Sequence, residues 1–537
     1  MNHVQILDCT LRDGAYLINK QFGDNNIHGI VNGLINTQID WIEIGFLQDE
    51  GKGEGKTVFL NSIDAEKHIP EFHGNSHFTA FADYSRYSIK NLDEYTGRSF
   101  EAVRACFFKE ERNDVIEFCH QIKRKGYILF VQPVDVLGYS ESELIELIRD
   151  VNSIHPDVFS IVDSFGSMYE DDLQRIFSLI DQKLVSDCKI GFHSHNNMQM
   201  SSALSQAFIK MSHGRREVVV DSTISGMGRG AGNTPTELIA QYLISKWVYN
   251  YDIDAILDVI DTYMDNIRTR CTWGYSTPFF ISGSYSAHVN NISYLLEKNS
   301  IRSKDIRHIL NQVGDDKRKR YDYGFLESEY MKYMAANIDD IASMASLKAI
   351  LSERNVVILA PGRSVRTEAR RIQEFIEQNS ATVISINFIP QNVKVDFLYM
   401  SNAKRFYSEG TAQLDDNINK IYTSNIKTEG EKGEYIISFN RLARIGWEHM
   451  DNSAIMLMRL LNELDVALIA IAGLDGYDNA QSSGNYFDPA LELHSTVENP
   501  DVLNREICEM LADFFVTKKT QVEVKFITTS RFERKLA

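Results

Sequence analysis

His193 and His195 stand two residues apart in the run KIGFHSH, whose composition and length are those of a β-strand. Alternate side chains on a strand share a face, so both imidazoles are predicted to point one way and Ser194 the other. Two imidazoles joined by a hard carboxylate oxygen make a site for a divalent ion, and Asp13, just beyond the first apolar run, offers that oxygen. Asn233, in a Gly-rich loop farther along, adds an amide oxygen that completes a mixed N/O set for Mg²⁺ or Mn²⁺. The same spacing also suits a hydrogen-bonded core pair, and two histidines with one carboxylate suit a non-haem iron site.

The elements that must position these residues decide among the readings. From residue 4 to about 245, the runs VQILDCT, WIEIGF, HFTAFAD, AVRACFF, YILFVQPVD, VFSIVDS, KIGFHSH and EVVVDSTIS alternate with segments of helical period. Eight successive βα units favour a closed (β/α)8 TIM barrel, assigned to residues 1–264. Polar residues fall late in these runs: Asp8, Glu43, Asp83, Gln132, Asp163, His193, His195 and Asp221. Barrel active sites form at the carboxyl ends of the strands, so Glu43, Gln132 and Asp163 are expected to line the substrate pocket. In a closed barrel the eighth strand lies between the first and the seventh, so Asp13, Asn233 and the two histidines converge.

Residues 265–349 read as a helical appendage, and a strand-loop-helix pattern from NVVILAPGRSV onward predicts a Rossmann-like α/β domain over 350–537. At 537 residues the chain is too long for one core. Its net charge of −18, spread along the chain, argues against a nucleic-acid surface. No apolar run approaches a membrane span, the N-terminus lacks a signal-peptide pattern, and the expected location is the cytoplasm. The six cysteines show no paired spacing and are expected to be buried thiols.

At LDCTLRDG (7–14), HSHNN (193–197) and SGMGRGAGNTPTE (225–237) the sequence resembles the metal-dependent pyruvate-aldolase and acyl-CoA-lyase superfamily, or DRE-TIM metallolyases, and is most similar to its 4-hydroxy-2-oxovalerate aldolases. The resemblance implies C–C bond formation or cleavage through an enolate beside a divalent ion, with a 2-oxo acid such as pyruvate, an aldehyde and further copies of the chain as partners. It gives Arg12 the role of stabilising enolate charge. Tyr16 stands where those aldolases have a histidine base, and a phenol is a poor base near neutral pH. Tyr285 matches a tyrosine that points into the barrel mouth, and His288 lies one turn away, so both join Tyr16 as candidates for handling the proton. Arg229 stands where acyl-CoA-condensing synthases carry glutamate, which favours the aldolase branch over a Claisen-type enzyme and suggests a carboxylate or phosphate ligand. A barrel reduced to a binding module is the third possibility.

GKGEGKT (51–57) lacks the first glycine of a phosphate loop, Glu50 standing there instead. In the last domain, APGRS (360–364) opens a helix after a strand, and with SINF, SNAKR and IAGLDGYDNAQSSGNYF it resembles bacterial sialyltransferase-like nucleotide-binding domains. That resemblance implies a phosphate at Gly362 and Ser364, a nucleotide or nucleotide-sugar pocket at Asn387, Asn402, Asp475 and Tyr477, and His494 as a base. A glycosyl or nucleotidyl transfer activity is the competing function for the whole chain.

Overall fold

The computed structural model describes residues 4–298, 301–334, 338–391, 393–408, 418–426, 434–444, 446–447, 452–478, 484–487 and 500–533. His494 lies outside them. The backbone separates into two compact units, residues 1–289 and 290–537, so the helical stretch expected at 265–349 is divided between them.

The first unit is a parallel barrel. Its strands are β1 (Val4–Asp8), β2 (Trp41–Leu47), β3 (His77–Asp83), β4 (Ala102–Phe107), β5 (Ile128–Pro133), β6 (Val158–Asp163), β7 (Lys189–Ser194) and β8 (Val218–Ser222). They pair in sequence order, and β1 closes the ring by pairing with β8 on one side (Val4 opposite Val218) and with β2 on the other (Leu7 opposite Trp41). The strands are almost wholly buried because helices cover them outside and layered side chains fill them inside, which is why they read as continuous apolar runs rather than alternating ones. Amphipathic helices such as Glu141–Asn152, with the Ser140/Glu143 capping box, bury Leu144, Leu147, Ile148 and Val151 against the sheet.

One crossover departs from the expected repeat. Between β3 and β4 stands only the short 3₁₀ turn Ile89–Asn91, and the buried side chains of Tyr87, Leu92 and Phe100 cover the strands where a helix would lie. The polar, Gly-containing stretch EYTGRSF (94–100) has no helical apolar stripe to bury.

The second unit carries helices and a seven-stranded parallel sheet: β9 (Asn355–Leu359), β10 (Thr382–Ile386), β11 (Phe397–Met400), β12 (Asn419–Thr423), β13 (Glu434–Ile437), β14 (Leu468–Ala472) and β15 (Glu523–Phe526). The order is β13-β12-β11-β10-β9-β14-β15, so the chain runs outward from β9 on one side and returns on the other. The carboxyl end of β9 is therefore a topological switch point, where open α/β sheets leave a crevice. Among the described residues no helix is long and apolar enough to cross a membrane.

Candidate active site

The carboxyl ends of β1, β7 and β8 carry the candidate metal residues. After β1 the chain turns sharply, with the amides of Arg12 and Asp13 donating to the Cys9 carbonyl, and this folds the Asp13 carboxylate over the barrel axis. His193 is the penultimate residue of β7 and His195 follows its end. The Gly-rich loop after β8 is laced to them: Asn196 N–H donates to Gly232 O, His195 pairs with Asn233, and Asn197 clamps both sides by donating to Phe165 O and accepting from Ala231 N–H. The lacing needs glycine at 232, whose φ is +85° and where a Cβ would fall 1.9 Å from Gly226 O.

Asp13, His193 and Asn233 are buried at the strand ends, 1%, 3% and 2% exposed, and His195 is part-buried beside them. The donors nearest Asp13 Oδ2 are His193 Nε2 at 3.3 Å, Arg12 Nη1 at 3.5 Å and His195 Nε2 at 3.6 Å. Neither Asp13 oxygen makes a hydrogen bond, nor does Asn233 Oδ1, whose own amide nitrogen is spent on Met227 O at 3.3 Å. Buried oxygens left without donors are costly and uncommon. Imidazole and carboxylate groups spaced a little beyond hydrogen-bonding distance, with buried oxygens that make no hydrogen bond on Asp13 and Asn233, fit a divalent ion of mixed N/O preference. Cys9 Sγ also lies within 4.8 Å of the Asp13 and His193 donors, but it donates to Ser222 O at 3.2 Å and burial holds the thiol well above its ordinary pKa, so Cys9 is a neighbour and not a ligand.

The electrostatics set each protonation state. Burial works against the Asp13 carboxylate, yet Arg12 and the two histidines hold it well below the usual range. Burial also opposes charge on His193, but the carboxylates of Asp13 and Asp221 outweigh it and raise its pKa. His195 is pulled down to about 4, chiefly by burial. Asp221 accepts from His193 Nδ1 at 2.9 Å, which leaves Nε2 as the ligating nitrogen.

Asp221, named among the strand-end polar residues without a role, and Arg104, not singled out at all, stand in contact with the candidate site. Arg104, wholly buried in the middle of β4, bonds Asp221 and lies 3.1 Å from Glu43; it also donates to Gln132 Oε1 at 2.6 Å. A lone arginine inside AVRACFF was the available signal, because a charge in an apolar strand must be paired. Glu43 and Gln132, expected to line the substrate pocket, hold these cations in place: Glu43 also accepts from Arg12 Nε at 2.7 Å. Arg12 is thereby fixed with Nη2 buried and without a partner. Asp163, another expected pocket residue, accepts from Ser167 N–H at 2.9 Å and Met168 N–H at 3.3 Å, an anchor for the loop after β6, and burial raises it to about 7.

The proton-handling candidates divide. Burial pushes the Tyr16 phenol above its ordinary pKa, and the Arg229 guanidinium lies 4.0 Å over its ring, so Tyr16 is a stacking platform and stays protonated. His288 is brought beside the site, close enough to His195 and Arg229 that they add to burial in lowering it to about 3, and it is neutral at physiological pH. Tyr285 ends the helix Thr277–Ser284, half-buried. That helix is pressed on the barrel loops at Gly283, where a Cβ would meet Met198 Cγ at 2.8 Å.

In the second unit, Gly362, Asn387, Asn402, Asp475 and Tyr477 do come together, around a cavity of about 160 Å³ at the switch point. Ser364 does something other than meet a phosphate: its N–H and hydroxyl donate to the Asp475 carboxylate at 2.8 and 2.5 Å, so an internal anion already occupies the loop. Asn387 Oδ1 is buried without a partner, on a residue held at φ +62°.

Residues 3–262 match the HMGL-like family. The chain is 35% identical over 322 residues to 4-hydroxy-2-oxovalerate aldolase of Pseudoalteromonas translucida, covering 56% of this chain and 88% of that one. It is 27% identical over 259 residues to oxaloacetate decarboxylase of Mycobacterium tuberculosis, covering 47% and 74%. Among solved structures, the HMG-CoA lyase of Brucella melitensis is similar at 12% identity and a TM-score of 0.41, covering 50% of this chain and all of that one. Barrel, site and kinship together define a carbon–carbon lyase. The chain belongs to the HMGL-like family, which its barrel unit represents.

Proposed function

We propose that the barrel unit is an aldolase that makes or breaks a C–C bond between a 2-oxo acid, most simply pyruvate, and an aldehyde, with Mn²⁺ or Mg²⁺ held by Asp13, His193, His195 and Asn233. The observation that carries this reading is the set of buried polar atoms without a hydrogen bond on the residues at the strand ends: Arg12 Nη2 as donor, and both Asp13 oxygens and Asn233 Oδ1 as acceptors. A divalent ion there supplies Lewis acidity toward a 2-oxo acid's carbonyl and carboxylate. Arg12, clamped by Glu43, presents a fixed donor to the oxygen on which enolate charge develops, and fixed donors in a dry site need no reorganisation. His288 is uncharged and can accept a proton only transiently, so it suits the hydroxyl proton of the cleavage step.

The test is proton exchange. Pyruvate, Mn²⁺ and D₂O incubated with the protein are expected to give methyl deuteration by NMR that disappears in His193→Ala. Absence of exchange with pyruvate and other 2-oxo acids refutes the reading. A decarboxylase acting through the same enolate is separated by release of CO₂ from oxaloacetate, and a Claisen-type enzyme by dependence on an acyl-CoA. A homo-oligomer in the cytoplasm accompanies this reading, and light scattering on the purified chain measures the first part.

A second reading is favoured by the Asn387 amide oxygen in the switch-point cavity: the C-terminal unit binds a small polar ligand, a nucleotide or nucleotide sugar, beside Asn402 and Tyr477. Thermal shifts of the full chain with CMP, UDP and GDP derivatives test it; stabilisation lost in Asn387→Ala supports it, and no shift with any of them refutes it.

A further inference from the structure

We infer that the second substrate of the barrel carries an oxyanion, a carboxylate or a phosphate, which Lys20 and Arg229 receive at the mouth. The inference rests on the 2-oxo-acid reading above and names the chemistry of the partner.

The barrel compensates three of its buried or part-buried arginines with carboxylates. Arg12 lies 2.7 Å from Glu43, Arg104 is paired with both Glu43 and Asp221, and Arg216 sits 3.0 Å from Asp181. Such pairing is what keeps charge tolerable away from water. Lys20 and Arg229 differ from these: both are part-buried, and among the described residues neither has a carboxylate oxygen within 4.0 Å. Lys20 Nζ donates instead to the neutral amide oxygen of Gln48 at 2.6 Å and lies 4.4 Å from the centre of the Phe46 ring. The two cations flank one phenol: Arg229 stacks 4.0 Å above the Tyr16 ring, and Lys20 Nζ is 6.0 Å from the same ring centre.

Their surroundings add positive field. Burial first, then the charges of Arg86, Lys56 and Arg229, pull Lys20 down to about 8, with Asp83 opposing. That carboxylate is shared with Arg86, whose Nε lies 3.5 Å away. The backbone holds Lys20 in place, since its N–H donates to Ala15 O at 2.7 Å, its carbonyl accepts from Thr57 N–H at 3.1 Å, and both Asn19 and Lys20 are left-handed, at φ +51° and +64°. Asn19 and Lys20 thus hold a backbone conformation that L-residues seldom adopt. An ammonium and a guanidinium beside one phenol, neither matched by a carboxylate, suit a group with several oxygens, which accepts charge-assisted bonds from such donors. Arg12 and the candidate metal residues serve the 2-oxo acid, so this pair is left for the partner.

Two measurements on the Mn²⁺-loaded full chain decide the matter. Calorimetric binding of inorganic phosphate and of succinate is expected to weaken at least tenfold in Lys20→Met and in Arg229→Met, with circular dichroism reporting that each variant folds. In condensation with pyruvate, succinic semialdehyde or glyceraldehyde 3-phosphate is expected to exceed propanal at least tenfold in kcat/KM, and Lys20→Met to bring that ratio close to one. The better of the two anionic aldehydes tells carboxylate from phosphate. Propanal performing as well as both, or unchanged binding of both anions in the variants, overturns the inference. If pyruvate exchange is itself absent, the aldolase reading fails and the binding arm still judges the anion site; if exchange persists without anionic preference, only this inference fails.

Discussion

Asp221→Asn removes one charge and almost no volume, and its consequences are calculable from the packing of β4, β7 and β8. Asp221 accepts from His193 Nδ1 at 2.9 Å and pairs with Arg104, which is wholly buried. An asparagine can turn its amide nitrogen to His193, which would shift the imidazole proton to Nε2, the nitrogen facing Asp13. Loss of an orienting carboxylate typically costs about 10–100-fold in metal affinity, or roughly 1.4–2.7 kcal/mol. Arg104 keeps Glu43 at 3.1 Å and Gln132 at 2.6 Å, so the folding penalty should fall below the roughly 3–5 kcal/mol of a fully orphaned buried charge, at about 2 kcal/mol. Titration calorimetry with Mn²⁺ at pH 8 measures the first quantity, and urea unfolding of the metal-free protein the second. Arg104→Met is the companion variant: it leaves Glu43 with Arg12 and Asp221 with His193 as their remaining cationic partners, and should destabilise more than Asp221→Asn. Wild-type Mn²⁺ affinity in Asp221→Asn would refute the orienting role.

Asp13→Asn should weaken Mn²⁺ binding by about 100-fold or more because it changes the charge of the ligand, whereas Tyr16→Phe should leave it within about twofold; equal retention in both variants counts against the ligand set. Gly232→Ala should lower stability by about 2–4 kcal/mol and release Mn²⁺, because its Cβ would overlap Gly226 O and shift Asn233, as unfolding and metal analysis can establish. Asp8 is raised to about 6 by burial against its hydrogen bonds from Thr236 and Thr10. Its folded pKa is above the unfolded value, so its favourable contribution is full below about pH 3.8 and lost as pH rises through 6. Asp8→Asn should therefore gain about 1 kcal/mol relative to wild type between pH 5 and pH 7 in urea titrations; a pH-independent difference contradicts the shift.

Much of the site was legible because it is local. His193 and His195 share a strand face, Asp13 follows the strand that neighbours β8, and the glycines around Asn233 announce a tight loop. What stayed hidden depends on register across strands. Asp221 reaches His193 because Phe192 aligns with Val220, and Arg104 reaches Glu43 across β3, relations that only the closed barrel creates. Lys20 escaped notice because its position depends on two left-handed residues with no glycine to signal them. The third crossover was legible in its polarity yet obscured by the regularity of the other βα units. Ser364 shows the reverse error: a loop shaped for phosphate is filled by Asp475, a residue 111 positions away.

The most direct measurement is a crystal structure with Mn²⁺ and oxalate, a planar mimic of the pyruvate enolate, with anomalous scattering recorded to locate the ion. The expected result is one ion bonded to Asp13, His193 and His195 with Asn233 Oδ1 beside it, and an oxalate oxygen accepting from Arg12 Nη2. An ion bound elsewhere, or oxalate that leaves Arg12 without a partner, contradicts the account.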